Sequence, residues 1–293
     1  DPNRKSKAPS PALKNVHNDL DWILCRSGWE PDDAVIAFKS GGPANHEHAD
    51  RNHFIYKAYE ERLINDNFGA AYDRRDKHWL LRHTAAHNAV LVDGKGNHYH
   101  DGIEGTNESL SYANITQYHV SGDTTWWTSD ATSAYRIENE HAHKVVRTVI
   151  FAKPDVVIVL DQIRLRYDPQ RIDVRYFPDN RDKRATLKVD GNRFTIQRPR
   201  ATLHAEVASR SDVEIAQSKL DLPEELGDFK YIQIGSEPAL NHEVLTLMVT
   251  TPGKSRKSPT IKANAIDGGW EIRAGRFKAT VKTNRITPTV LLG

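Results

Sequence analysis

One pattern limits this chain more than any other. Runs of four to seven residues rich in Val, Ile and Thr recur along it, each bounded by Gly, Pro, Asn or Asp. Val35-Ile36-Ala37-Phe38, Val145-Val146-Arg147-Thr148-Val149-Ile150-Phe151, Val156-Val157-Ile158-Val159-Leu160 and Leu245-Thr246-Leu247-Met248-Val249-Thr250 are examples. β-Branched side chains suit a pleated surface, so these runs predict strands. Asp93-Gly94, Lys153-Pro154-Asp155, Asp190-Gly191-Asn192 and Asp267-Gly268-Gly269 supply the turns. Strongly periodic helical segments are nearly absent; Leu220–Leu226 makes at most a short turn opened by Pro223. Many short strands without intervening helices predict an all-β fold, a large antiparallel double-layer β-sandwich. Residues 1–18, with Pro2, Pro9 and Pro11 among polar residues, read as a linker, and 19–293 as the sandwich. A smaller C-terminal sheet from about residue 185 is the alternative subdivision.

The chain has 293 residues, enough for a substantial core. At 38% hydrophobic and 27% charged it is polar but foldable. Lys and Arg number 41 against 39 Asp and Glu, so the total charge points to no partner. Cys25 is alone, which excludes an intrachain disulfide; its apolar setting predicts a buried small hydrophobe. No run approaches the 18 apolar residues of a membrane span. No phosphate loop or nucleic-acid module is evident, so neither membrane nor nucleic acid is expected as partner. The N-terminus lacks both an initiator Met and the apolar stretch of a signal peptide, which suggests a portion of a longer chain.

The chemistry concentrates between residues 41 and 100. Of 14 histidines, several fall here, in Asn45-His46-Glu47-His48-Ala49-Asp50, in Arg82-His83-Thr84-Ala85-Ala86-His87-Asn88, and at His78, His98 and His100. In a strand, residues two apart share a face, so His46, His48 and Asp50 would make one densely polar face. An apolar core does not accept such a face without partners. It must bind an ion, line a cleft or meet another polar layer. Zinc takes His nitrogen and Asp oxygen at about 2.0–2.2 Å, usually four-coordinate. His48, Asp66 and His87 would give a His2Asp set with an open fourth position; a hydrogen-bonded histidine network is the competing reading. His78, His83, His98 and His100 sit in loop-like stretches and read as surface residues. A cupin would need a Glu and then a Gly soon after its His-x-His, whereas Asp50-Arg51-Asn52-His53 stands here.

The order of motifs resembles the C-terminal sandwich of heparinase II/III-like polysaccharide lyases. The resemblance rests on Arg26-Ser27-Gly28-Trp29, His46-Glu47-His48-Ala49-Asp50, Asp66-Asn67-Phe68-Gly69 with Tyr72, Ala86-His87-Asn88, and the stretch from Arg147 through Pro154-Asp155 to Asp161. It covers residues 20–165 well and the remainder only as generic sandwich. One departure is the Gly after Asp66, which comes later than in most of the family.

The resemblance implies a sandwich packed against an N-terminal α/α toroid, with a uronic acid-containing polysaccharide between them. The reaction it implies is β-elimination. His46 would be the sandwich's catalytic residue, as base or carboxylate neutraliser. His48, Asp66 and His87 would hold a structural Zn2+, and Asn45, Arg82 and Asn88 would contact the sugar. The substrate would be an acidic polysaccharide of the alginate or glycosaminoglycan type, and the location periplasmic or secreted. No toroid-like helical pattern occurs in the sequence, so this chain alone is expected to be inactive. Two alternatives stand beside the lyase: a uronyl C5-epimerase of the same architecture, and a non-catalytic carbohydrate-binding or scaffold sandwich. Trp126 and Trp127 should point to opposite faces of a strand, one into the core and the other into core, sugar or toroid. Arg171, Arg175, Arg181, Lys183 and Arg184 read as a solvated basic stretch, and Arg256 and Lys257 as part of a loop.

Overall fold

The computed structural model describes residues 9–43, 48–99, 111–253, 258–284 and 287–293. Among them are 21 strands, all paired antiparallel, and one short α-helix, α1 (Thr132–Arg136). The first five strands form a meander: β1 (Asn15–His17), β2 (Trp22–Arg26), β3 (Val35–Lys39), β4 (His53–Ala58) and β5 (Glu61–Ile64). Then come β6 (Val90–Val92), β7 (Asn114–Ser121), β8 (Thr124–Asp130), β9 (Ala142–Ala152), β10 (Val156–Leu165) and β11 (Ile172–Tyr176). They are followed by β12 (Thr186–Asp190), β13 (Arg193–Gln197), β14 (Ala201–Ser209), β15 (Val213–Lys219), β16 (Lys230–Ser236) and β17 (Asn241–Pro252). Eight of these build a central sheet in the order β12-β13-β14-β17-β10-β9-β8-β7, and four a smaller one, β15-β16-β11-β6. A C-terminal meander closes the chain: β18 (Ile261–Ile266), β19 (Gly269–Ala274), β20 (Phe277–Lys282) and β21 (Thr289–Leu292).

The central sheet is buried on both faces, and side-chain alternation says why. Along β10, Val157, Val159 and Ile163 enter one core, which Phe38, Phe54, Leu63, Val92, Val174 and Ile232 complete from the first meander and the smaller sheet. Val156, Ile158 and Leu160 enter a second core, completed by Trp270, Ile272, Val281 and Val290 of the C-terminal sheet. A strand covered on both sides has no polar face to offer, which explains the unbroken Val-Val-Ile-Val-Leu run. Each fully buried side chain of this size contributes about 1.5–3 kcal/mol, so β10 anchors both cores. The expected sandwich is present, with the C-terminal sheet as a third layer.

Two expected boundaries move. The linker does not extend through residue 18, because Asn15–His17 already pairs with β2. Nor does a sheet begin near 185: β12 and β13 join the same eight-stranded sheet as β7–β10, and the separate C-terminal sheet starts at Ile261. The tryptophans point to opposite faces. Trp127 is fully buried in the first core, while Trp126 packs on the second and stacks on His119 at 5.0 Å. Cys25 is buried, which pushes its thiol up to about 12. The basic stretch is largely ion-paired, through Arg171–Glu237, Arg175–Asp173, Arg181–Asp179 and Lys183–Glu224. Arg256 and Lys257 lie outside the described residues. No described helix is long and apolar enough to cross a membrane.

Candidate metal centre

Three loops meet beside the β4–β5 hairpin. The first leads into β4 and carries His48; the second leaves β5 and carries Asp66. The third, residues 77–89, runs through two 3-10 turns, Lys77–Arg82 and Thr84–Ala86, to His87. Asp76 opens this third loop by accepting the His78 backbone N–H at 2.8 Å. Backbone atoms next to the polar side chains lock the loops together. The Ala49 N–H donates to Arg82 O at 2.8 Å, and the Thr84 hydroxyl donates to Ala49 O at 2.6 Å. The Asn67 side chain donates to Ala86 O at 2.7 Å. The turn after Asp66 depends on Gly69, whose φ is +100° and whose added Cβ would lie 2.2 Å from Leu226 Cδ1.

So fixed, His48, Asp66 and His87 each bring one donor atom to within 4.8 Å of the others. His87 Nδ1 lies 2.8 Å from Asp66 Oδ1, and an ionised carboxylate only accepts, so the ring nitrogen is the donor. The His87 ring is fully buried, and among the described residues its Nε2 has no hydrogen-bond partner. Burial raises the Asp66 carboxyl, but His87 and His53 outweigh it and hold the group well below the usual carboxylate range. His48 is pulled down to about 4, by burial first and the neighbouring His87 second. Burial also pulls on His87, yet the Asp66 carboxylate keeps it above its ordinary value. A charged carboxylate, a neutral imidazole and a buried orphaned ring nitrogen are the donor types a zinc ion takes, so the residues fit the metal.

Of the other candidates, Asn45, His46 and His100 lie outside the described residues. Arg82 is buried, donates from Nε to Ala71 O at 2.7 Å, and has its guanidinium 4.9 Å from the ring centres of both Tyr72 and Trp79. Asn88 was expected at the sugar, and in this structure its amide is engaged with the main chain. Fully buried, it donates to Phe54 O and Asn65 O, and its oxygen accepts the Phe177 N–H, so its amide braces three segments of backbone. The strand face shared by His46, His48 and Asp50 also fails where it is described. Residues 48–50 form no strand, and Asp50 turns to Lys39, whose Nζ lies 2.8 Å away. His78, expected at the surface, is buried beside Asp76, while His98 bonds Glu138 at 2.6 Å. Sequence reasoning missed His53, the first residue of β4. Its ring is 5.2 Å from that of His87, and burial pulls it down to about 4. The available signal was an imidazole directly before the Phe54-Ile55-Tyr56 run.

A family model described as heparinase II/III-like, C-terminal, matches residues 18–264. The chain belongs to this family. Among curated proteins, none matches it. Similar solved structures include a heparan sulfate lyase HepC mutant from Pedobacter heparinus, with 13% identity and a TM-score of 0.67 over 97% of this chain. A heparinase III crystal structure has 12% identity and a TM-score of 0.69 over 93% of it. A heparan sulfate lyase HepC structure from Pedobacter heparinus has 16% identity and a TM-score of 0.64 over 100%. At such identities these structures establish the shared sandwich fold. The chain spans about two fifths of their length, covering 43%, 41% and 43% of them in turn. Membership places the chain among relatives of polysaccharide lyases.

Proposed function

We propose that this chain is the β-sandwich portion of a lyase that cleaves uronic acid-containing polysaccharide, of the alginate or glycosaminoglycan type, by β-elimination. The observation that carries this reading is the convergence of His48, Asp66 and His87 from three loops, with His48 two residues after His46 in sequence. In such an elimination the sugar carboxylate is neutralised, which acidifies the C5 proton. A base removes that proton, its electron pair forms the C4–C5 double bond, and an acid protonates the departing C4 oxygen. Positioned acid–base groups contribute roughly 10²–10⁴-fold. Neutralising the developing charge in a site closed to water is often the larger effect. His46 serves here as base or carboxylate neutraliser. Zinc held by His48, Asp66 and His87 would fix the loop that presents His46. Asn45, Arg82 and Asn88 are the proposed contacts to the sugar. The acid comes from a helical toroid domain that packs on this sandwich in the complete protein, which works in the periplasm or outside the cell, where such polymers are met.

The test has two parts. Plasma mass spectrometry of the purified chain should find about one zinc, and His48→Ala should lose it; full metal content in that variant would remove His48 as a ligand. In the complete protein, His46→Ala should abolish formation of the unsaturated uronate product, read by its ultraviolet absorbance, without lowering the melting temperature. Unchanged turnover would overturn the role of His46.

A further inference from the structure

Two features near the centre have no part in the reading above: His53, and a buried ion pair in the central sheet. Arg147 of β9 and Asp161 of β10 sit directly opposite each other, both side chains 1% exposed. The pair is bidentate, Nε to Oδ1 at 2.7 Å and Nη2 to Oδ2 at 3.0 Å. The third nitrogen, Nη1, leaves the sheet and donates to two loop carbonyls, Asn52 O at 2.8 Å and Asn88 O at 2.5 Å. Asn52 immediately precedes His53, and Asn88 immediately follows His87. One guanidinium therefore holds the backbone beside both histidines.

The bond network continues into the His53 ring. The Asn88 N–H donates to His53 Nδ1 at 3.0 Å. A ring nitrogen that accepts a hydrogen bond carries no proton, so the neutral ring keeps its proton on Nε2. That N–H is buried, has no hydrogen-bond partner among the described residues and lies 3.9 Å from Asp66 Oδ1. Its proton bars Nε2 from coordinating a metal, which leaves the His2Asp set with its fourth position open. A buried donor without a partner is costly, and the carboxylate beside it is an acceptor within a small movement.

We propose that His53 is the outer donor that steadies Asp66 at the metal centre, and that the Arg147–Asp161 pair is the positioning device that fixes its ring and its proton. The proposal rests on the metal reading above. Partners of this kind orient a ligand and typically change metal affinity 10–100-fold.

Zinc affinity, by competition with a chelating indicator, and the visible spectrum of the cobalt(II)-loaded protein test it. His53→Phe keeps the ring volume and removes the donor. It should weaken zinc binding about 10–100-fold and shift the cobalt bands, while the chelated variant melts near the parent. Arg147→Lys should weaken zinc less. The double variant should bind no more weakly than His53→Phe alone, because both act through one bond. Additive losses would show that Arg147 only supports the fold, and would overturn the positioning role. Parental affinity and spectrum in His53→Phe would overturn the proposal while leaving the ligand set intact. A parent that binds no zinc would overturn both.

Discussion

Two polar clusters are buried on opposite sides of the central sheet, and they differ in one respect. Beneath the C-terminal sheet, Glu243 is saturated. One oxygen accepts the Trp270 indole at 2.6 Å and the Thr283 hydroxyl at 3.2 Å, with Arg210 3.6 Å away; the other accepts Gln162 at 3.1 Å. Gln162 in turn accepts Lys144 at 3.4 Å. On the other side, among the described residues, His87 Nε2 and His53 Nε2 are buried with no hydrogen-bond partner. A network that joins layers spends its polar atoms on one another. An orphaned nitrogen alone does not mark the centre, since His78 Nε2, His141 Nδ1 and His242 Nδ1 are also buried without a partner; what marks it is an orphaned nitrogen within reach of a second imidazole and a carboxylate.

The strongest way to break the comparison is Asp66→Ala. It should abolish stoichiometric zinc, weakening affinity by more than the ~100-fold that outer partners reach, while the chelated fold survives. Retained zinc would remove Asp66 from the ligand set. Glu243→Ala should do the reverse. Leaving the Trp270 indole and Gln162 amide without an acceptor should cost about 3 kcal/mol in denaturant unfolding, with zinc content unchanged. A loss of zinc there would show the two sides to be coupled.

The last contrast is in the pH dependence of the chelated protein. His48 and His53 have folded values near 4, below the ordinary 6.5. Between those values the unfolded chain binds the extra protons, so stability is full above about 6.5 and falls as the pH drops toward 4. Each ring adds a slope on the order of 1.4 kcal/mol per pH unit. His87 is shifted the other way, so its contribution is complete below its unfolded value and fades as the pH rises above it. Melting temperatures measured from pH 7 to 4 should fall less steeply in His48→Ala and equally steeply in Glu243→Ala. The same slope in His48→Ala would remove that ring from the titration.

Much of this was legible in the sequence. Alternation and turn residues gave the strands, because period-2 burial writes itself directly into residue order. His48, Asp66 and His87 were legible through the ordered motifs. Their convergence depends instead on the Ala49–Arg82 and Asn67–Ala86 contacts, which link positions 33 and 19 residues apart and leave no periodic trace. The bracing role of Asn88 was not legible, because an amide before a hydrophobic strand looks the same whether it faces a sugar or three main-chain groups. His53 was hidden for a related reason. Its importance comes from the Asn88 N–H and the Arg147 guanidinium, both far away in sequence. The C-terminal boundary was invisible because Asp190-Gly191 and Asp267-Gly268 are equivalent turn signals, one inside the central sheet and one outside it.

That third layer bears on how the protein can be dissected. The family match ends at residue 264, within β18. A fragment cut there would lose Trp270, Ile272, Val281 and Val290, and would turn Ile150, Ile158, Leu160, Leu247 and Val249 toward water. Bare apolar surface of this kind drives self-association. The stretch defined by kinship is therefore shorter than the layered unit, and a boundary drawn at residue 264 would split that unit.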